Sequence, residues 1–294
     1  MSDAGEAGSA RFARVLLTGA AGRIGSSLRP GLCAHDGLRE LRLSDIEPLA
    51  PEHPAETVAP ADVRDADAVL RAVDGVDAIV HLGGVPGEAD LATLAGPNVH
   101  GTFHVLDAAR RAGARRVVLA SSNHVTGFEP TTRRLAGHEP PRPDSLYGAT
   151  KAFGEALGRL YADKFGLEVV CLRIGTFAER PLEPRHLSTW LSPADALRLI
   201  GACLTAPSPL GFRVVYGASA NTRGWWDLGP ARELGYAPQD DAEAFADTLA
   251  RAGEDLGAGP QGGEFAEPGH GGWATAPGGG ETAAPGDGGG KRPG

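Results

Sequence analysis

The sequence predicts an α/β fold, a doubly wound parallel sheet. Short and wholly apolar runs recur along the chain, and stretches of helical periodicity separate them. Residues suited to binding and chemistry follow those runs directly. Buried runs joined by helices imply parallel strands with right-handed crossovers. Val15-Leu16-Leu17 reads as the first strand, and Leu41-Arg42-Leu43 ends a second. Ala78-Ile79-Val80-His81-Leu82 and Val117-Val118-Leu119-Ala120 give two more, and Val169-Val170-Cys171-Leu172 and Val214-Val215-Tyr216 complete the set. Helical patterns cover residues 66–73, 99–112, 147–165 and 193–206. Pro30 falls inside the first helical pattern and predicts a kink or an early end there.

Composition narrows the function classes. The chain has 294 residues and a net charge of −9, so it is a poor candidate for a nucleic-acid binder. Hydrophobic residues make up 41%, enough for a full core, but no apolar run approaches a membrane span. MSDAGEAGSA has neither a basic stretch nor an apolar one, so it does not read as a secretory signal. Cys33, Cys171 and Cys203 are odd in number and far apart, which argues against a disulfide framework and for a reducing cytoplasm. Residues 257–294 contain 15 Gly and 5 Pro, with Phe265 and Trp273 as the large apolar side chains. That composition predicts a disordered tail over 255–294, and 1–11 reads the same way. The folded unit is therefore expected at 12–254.

Ligands of a doubly wound sheet sit beyond the carboxyl ends of its strands. The first such place is Thr18-Gly19-Ala20-Ala21-Gly22-Arg23-Ile24-Gly25. Gly19, Gly22 and Gly25 permit a tight turn, close approach of backbone N–H groups to a pyrophosphate, and packing of the following helix. Glycine is abundant in this chain, so the strand before the loop and the helix after it carry the argument. Asp45 ends the second strand 20 residues after Gly25. An acid there accepts the ribose hydroxyls of NAD and repels the 2′-phosphate of NADP. Arg23 pulls the other way, and Asp45 is expected to dominate. The reading is an NAD-binding Rossmann core over 12–176. Asp62 and Val63 are candidates for the adenine edge, although a plain loop carboxylate fits as well. Leu82 and Gly83 offer small backbone to the cofactor's phosphates.

Tyr147-Gly-Ala-Thr-Lys151 is the second signal. With four Tyr and three Lys in the chain, composition alone yields this spacing about 0.04 times. On a helix, residues four apart share a face. An ammonium there lowers the phenol pKa, which makes Tyr147 a usable base. Ser122, in Ser121-Ser122-Asn123-His124 directly after the fourth apolar run, offers a hydroxyl to a substrate oxygen. Serines at strand ends are often only turn caps.

These residues resemble the extended short-chain dehydrogenase/reductase superfamily, which includes NAD-dependent epimerases and dehydratases. Val-His-Leu-Gly-Gly (80–84), Ala-Ser-Ser-Asn-His (120–124), Leu-Tyr-Gly-Ala-Thr-Lys-Ala-Phe-Gly-Glu (146–155), Arg-Ile-Gly (173–175), Leu-Ser-Thr-Trp (187–190) and Gly-Ala-Ser-Ala-Asn-Thr-Arg-Gly-Trp-Trp-Asp (217–227) are similar to the bacterial uronate dehydrogenases. The resemblance runs over most of 14–250. It implies oxidation of C1 of a cyclic hexuronate, such as glucuronate or galacturonate, to an aldarolactone with NAD⁺. It implies Tyr147 as base, Lys151 as its modulator and ribose ligand, and Ser122 as the hydroxyl that orients the substrate. Asn123, His124 and Thr176 are implied as substrate contacts, and Arg185 as the carboxylate clamp. Residues 177–254 are then a small C-terminal region covering the substrate. Pro86 stands where the family tends to carry a serine near the sugar. A sugar-nucleotide epimerase or dehydratase, and a non-catalytic NAD sensor, are the competing readings. The sequence leaves a homo-oligomer open.

The remaining polar and aromatic landmarks read plainly. His100 and His104 lie four apart without a third ligand nearby, so no metal site is expected. Trp225-Trp226 reads as packing.

Overall fold

The computed structural model describes residues 12–249 and 259–271. The expected disorder of 1–11, 255–258 and 272–294 lies outside the described residues.

The chain runs β1 (Arg14–Thr18), α1 (Arg23–Cys33), β2 (Glu40–Ser44), β3 (Glu56–Val58), α2 (Ala66–Val73) and β4 (Ala78–His81). Next come α3 (Leu91–Leu94), a π-helical stretch (Ala95–Gly101), α4 (Thr102–Ala112) and β5 (Arg116–Ser122). They are followed by α5 (Leu146–Phe165), β6 (Glu168–Ile174), β7 (Thr176–Phe177), α6 (His186–Thr189), β8 (Trp190–Leu191), α7 (Pro193–Thr205) and β9 (Phe212–Gly217). Seven strands form one sheet in the order β3-β2-β1-β4-β5-β6-β9, every pair parallel. This is the doubly wound fold. The strand order reverses between β1 and β4, which opens a crevice at their carboxyl ends. β7 and β8 make a separate parallel pair.

Strand alternation supplies two cores. Val15, Leu17, Val80, Val118, Val170 and Leu172 face α1 and α7, packing with Leu28, Leu32, Leu199 and Cys203. Leu16, Ile79, Val117, Val169 and Cys171 face the other way, onto Val69, Val105 and Leu106 of α2 and α4. Each strand is apolar on both faces because helices cover both.

Three expectations change. Helix α1 continues three residues past Pro30, whose side chain is exposed. A boundary at 176 does not divide the sheet, because β9 pairs with β6. Residues 259–271, expected as part of a disordered tail, are docked on the folded unit. Thr131 N donates to the Gly259 oxygen at 2.8 Å and Gln261 N to the Glu129 oxygen at 2.8 Å. The Gln261 side chain is 1% exposed. Composition misled here because a few well-seated polar groups offset what a poor apolar content could not. Among the described residues no helix is long and apolar enough to cross a membrane.

Candidate active site

A cleft of about 1470 Å³ opens at the β1/β4 crevice. The Gly19–Gly25 loop, Asp45, Asp62, Val63, Leu82 and Gly83 line one end of it. Ser122, Asn123, His124, Tyr147, Lys151, Thr176 and Arg185 line the other. Every residue singled out as a catalytic, cofactor or substrate candidate therefore lines one cavity.

The glycine loop is a cradle that side chains would fill. A Cβ on Gly25 would stand 2.2 Å from the Gly19 oxygen. Gly22 caps α1, whose first turn carries no acidic side chain, so its N–H groups face the cleft without a competing carboxylate. Asp45 accepts from Ala21 N at 2.9 Å and from Glu47 N at 3.1 Å, which fixes its carboxylate at the mouth of the loop. These residues fit a dinucleotide whose pyrophosphate meets α1 and whose ribose meets Asp45. Asp62 differs from its expectation. Arg64 binds both its oxygens, Nε to Oδ1 at 3.0 Å and Nη2 to Oδ2 at 2.6 Å, so the carboxylate already has a partner, and those hydrogen bonds hold its pKa below the usual value. Behind the loop, buried His81 bonds Thr18 at 2.7 Å and is held neutral by burial and by the Lys151 charge, down to a pKa of about 3.

Helix α5 begins at Leu146 because its first N–H groups are satisfied. Ser145 accepts from Gly148 N, and Glu88 accepts from Leu146 N and Tyr147 N at 3.0 and 2.8 Å. A Cβ on Gly148 would meet the His124 oxygen at 2.4 Å. That close approach brings Tyr147 beside the end of β5, where Ser122 favours the ionised form of its phenol. Burial pushes the Tyr147 phenol up to about 12, against the downward pull of Ser122. The sequence predicts the opposite direction, from Lys151. The Lys151 ammonium instead donates to the Ala120 oxygen at 3.0 Å, and burial pulls it down to about 8.

The sugar end is drawn from several segments. His124 Nδ1 lies 2.8 Å from Asp144 Oδ2, and the Phe265 ring stacks on the imidazole at 3.9 Å. Thr176, on β7, bonds Thr189 at the end of α6 at 2.9 Å. Arg185 lies over the Trp225 ring and donates from Nε and Nη2 to the Gln261 oxygen. Burial lowers its pKa, and the charges of Glu183, Asp144 and Glu264 oppose that. Pro86 is in the wall as well. Arg173 is a buried strut that pairs with Glu155 at 2.9 Å, and Glu155 accepts from Ser121. Trp226 stacks on Tyr216 at 4.9 Å, as packing predicts, whereas His104 bonds the Val63 oxygen.

Sequence reasoning missed Asp144, Glu183 and residues 262–265. Phe265, a large apolar side chain in a polar and glycine-rich stretch, was the available signal for the last group.

Comparison with known proteins places the chain. The model of the NAD dependent epimerase/dehydratase family matches residues 15–192. A uronate dehydrogenase of Pseudomonas putida is 45% identical over 263 residues, covering 88% of this chain and 97% of that protein. One of Agrobacterium fabrum is 47% identical over 232 residues, covering 79% and 86%. A crystal structure of a tyrosine-to-alanine mutant of the Agrobacterium tumefaciens uronate dehydrogenase, complexed with NAD, aligns with a TM-score of 0.80 at 43% identity over 86% of this chain and 96% of that one. The chain belongs to the NAD-dependent epimerase/dehydratase family, on the branch that carries the uronate dehydrogenases.

Proposed function

We propose that this protein oxidises C1 of a cyclic hexuronate to the aldarolactone, passing the electrons to NAD⁺. The observation that carries the reading is the joining of two ends in one cleft. A dinucleotide cradle runs into a Ser122–Tyr147–Lys151 cluster, and the half-buried guanidinium of Arg185 stands in the same cavity.

NAD⁺, when bound, supplies the carbon that accepts the hydride from C1 and a positive charge while it is oxidised. Gly19, Gly22, Arg23, Ile24 and Gly25 would hold its pyrophosphate, and Asp45 its ribose. Asp62, Val63, Leu82 and Gly83 would complete the walls. The C1 hydroxyl proton passes to Tyr147 Oη, which Ser122 orients. Lys151 contributes positive charge and a ribose hydrogen bond. Asn123, His124 and Thr176 contact the sugar, and Arg185 reads the carboxylate. Guanidinium suits that task because it offers a planar set of donors to a planar anion. Pro86 has no N–H and no side-chain donor, so the wall at that residue donates no hydrogen bond to the sugar. Free and buried Cys33, Cys171 and Cys203 support a reducing, cytoplasmic setting.

The test is a screen of glucuronate, galacturonate, neutral hexoses and sugar nucleotides with NAD⁺, read as NADH absorbance. NADH formation from the free hexuronates is expected. Turnover of sugar nucleotides without net NADH would overturn the reading in favour of an epimerase or dehydratase.

A further inference from the structure

We infer that Gln261 is a positioning residue for Arg185, and that Gly262–Phe265, which it anchors, is a built wall of the sugar end of the cleft. The inference rests on the uronate reading above, since it concerns how the carboxylate clamp is aimed.

Gln261 is an anchor. Its side chain accepts from Trp226 Nε1 at 2.8 Å and donates to the Pro130 and Arg133 oxygens at 3.1 and 2.9 Å. Its backbone N–H donates to the Glu129 oxygen. All these partners belong to the folded unit, so the Gln261 carbonyl is fixed in space. That carbonyl takes the Nε and Nη2 edge of Arg185, at 3.0 and 2.6 Å. Asn123, with its amide turned to suit its neighbours, accepts from Arg185 Nη2 at 3.1 Å and donates to the Ile174 oxygen at 3.0 Å. Nε and Nη2 are thus engaged, and no acceptor for Nη1 occurs among the described residues. The guanidinium presents its Nη1 edge for the carboxylate.

The two residues that follow are fitted to the site atom by atom. A Cβ on Gly262 would stand 1.7 Å from Asp144 Oδ2, the oxygen that holds His124. Gly263 has a φ of +61°, and a Cβ there would stand 3.0 Å from Arg185 Cδ and 3.1 Å from Nε. Phe265 then closes over the His124 ring. Backbone this close to Asp144 and Arg185, with glycine at both points of contact, marks a segment shaped to the clamp rather than resting on it.

The test is a double-mutant cycle between Gln261→Leu and Arg185→Ala in the full chain, read as KM for glucuronate, KM for NAD⁺ and kcat. Leucine keeps the volume and removes the three anchoring hydrogen bonds. Gln261→Leu is expected to raise the glucuronate KM about tenfold or more, since small misplacements of a positioning group carry such costs. The NAD⁺ KM should hold, because the cradle lies at the other end of the cleft. In the Arg185→Ala background the same change should add less than about twofold, because coupled residues are not additive. Gly263→Ala, which pushes on Arg185 without removing any anchor, should reproduce the rise if Gln261→Leu does not fold. Equal effects of Gln261→Leu with and without Arg185, or no effect of either variant on KM, would overturn the inference. An unchanged glucuronate KM in Arg185→Ala alone would instead overturn the clamp on which it rests.

Discussion

The Lys151 ammonium stands 5.6 Å from the centroid of the Tyr147 ring, over its face and bonded to the Ala120 oxygen. Ser122, and not Lys151, is the neighbour that draws the phenol's pKa down. Burial holds the phenol protonated up to about 12 and makes the ammonium titrate near 8. Phenolate therefore grows with pH while the cation that favours it is withdrawn above pH 8. The expected kcat/KM rises through neutrality and climbs less steeply above about pH 8. A profile flat from pH 6 to 9 would contradict the pairing of these two groups.

Tyr147→Phe keeps the ring and removes the proton acceptor. A placed base contributes about 10²–10⁴-fold, so kcat should fall by that order with NAD⁺ affinity nearly unchanged. Steady-state kinetics alongside NAD⁺ titration checks both halves. A mutant retaining most of the wild-type kcat would remove Tyr147 from the chemistry.

Lys151 also bears on stability. Its folded pKa lies below its unfolded one, so the unfolded chain binds the proton more firmly between pH 8 and 10.5. Stability should rise with pH across that window. Lys151→Met should be inactive yet melt several degrees higher than the wild type at pH 7, the gap narrowing towards pH 10. Thermal melts of both proteins without cofactor decide it, and a lower Tm for the variant at pH 7 would show that the ammonium is compensated.

Asp45 is held by two backbone N–H groups. Asp45→Asn retains an acceptor and loses the charge that repels a 2′-phosphate. The ratio of kcat/KM for NADP⁺ to that for NAD⁺ should rise about tenfold, the equivalent of about 1.4 kcal/mol. Comparable efficiencies with the two cofactors in the wild type would refute the role.

The sheet and the cofactor half were legible because each depends on local sequence. Val15-Leu16-Leu17 must be buried on both faces, and Gly25 must lack a side chain where the helix crosses the Gly19 oxygen. β3 was not legible, since Glu56-Thr57-Val58 has no apolar run. It pairs along β2 by backbone hydrogen bonds, and Arg29 of α1 holds its first residue, Glu56, at 2.8 Å. The docked segment was hidden for a related reason. Its attachment rests on Gln261 reaching Trp226, Pro130 and Arg133, partners far away in sequence that no composition reveals. Likewise Tyr147 and Lys151 were found by their spacing, but the direction of their pKa shifts depends on burial that spacing does not encode.

Arg185 carries the distinction between a uronate enzyme and a neutral-sugar enzyme. Arg180, the other arginine of the same loop, is exposed to solvent. A charge-assisted pair contributes about 1.5–3 kcal/mol, and lost positioning adds to it. The most direct measurement is kcat/KM for glucuronate and for glucose, in the wild type and in Arg185→Ala. The account predicts a loss of about 100-fold or more on glucuronate, with the weak rate on glucose little changed. Equal losses on both sugars would contradict it, because Arg185 would then support the fold without reading the carboxylate.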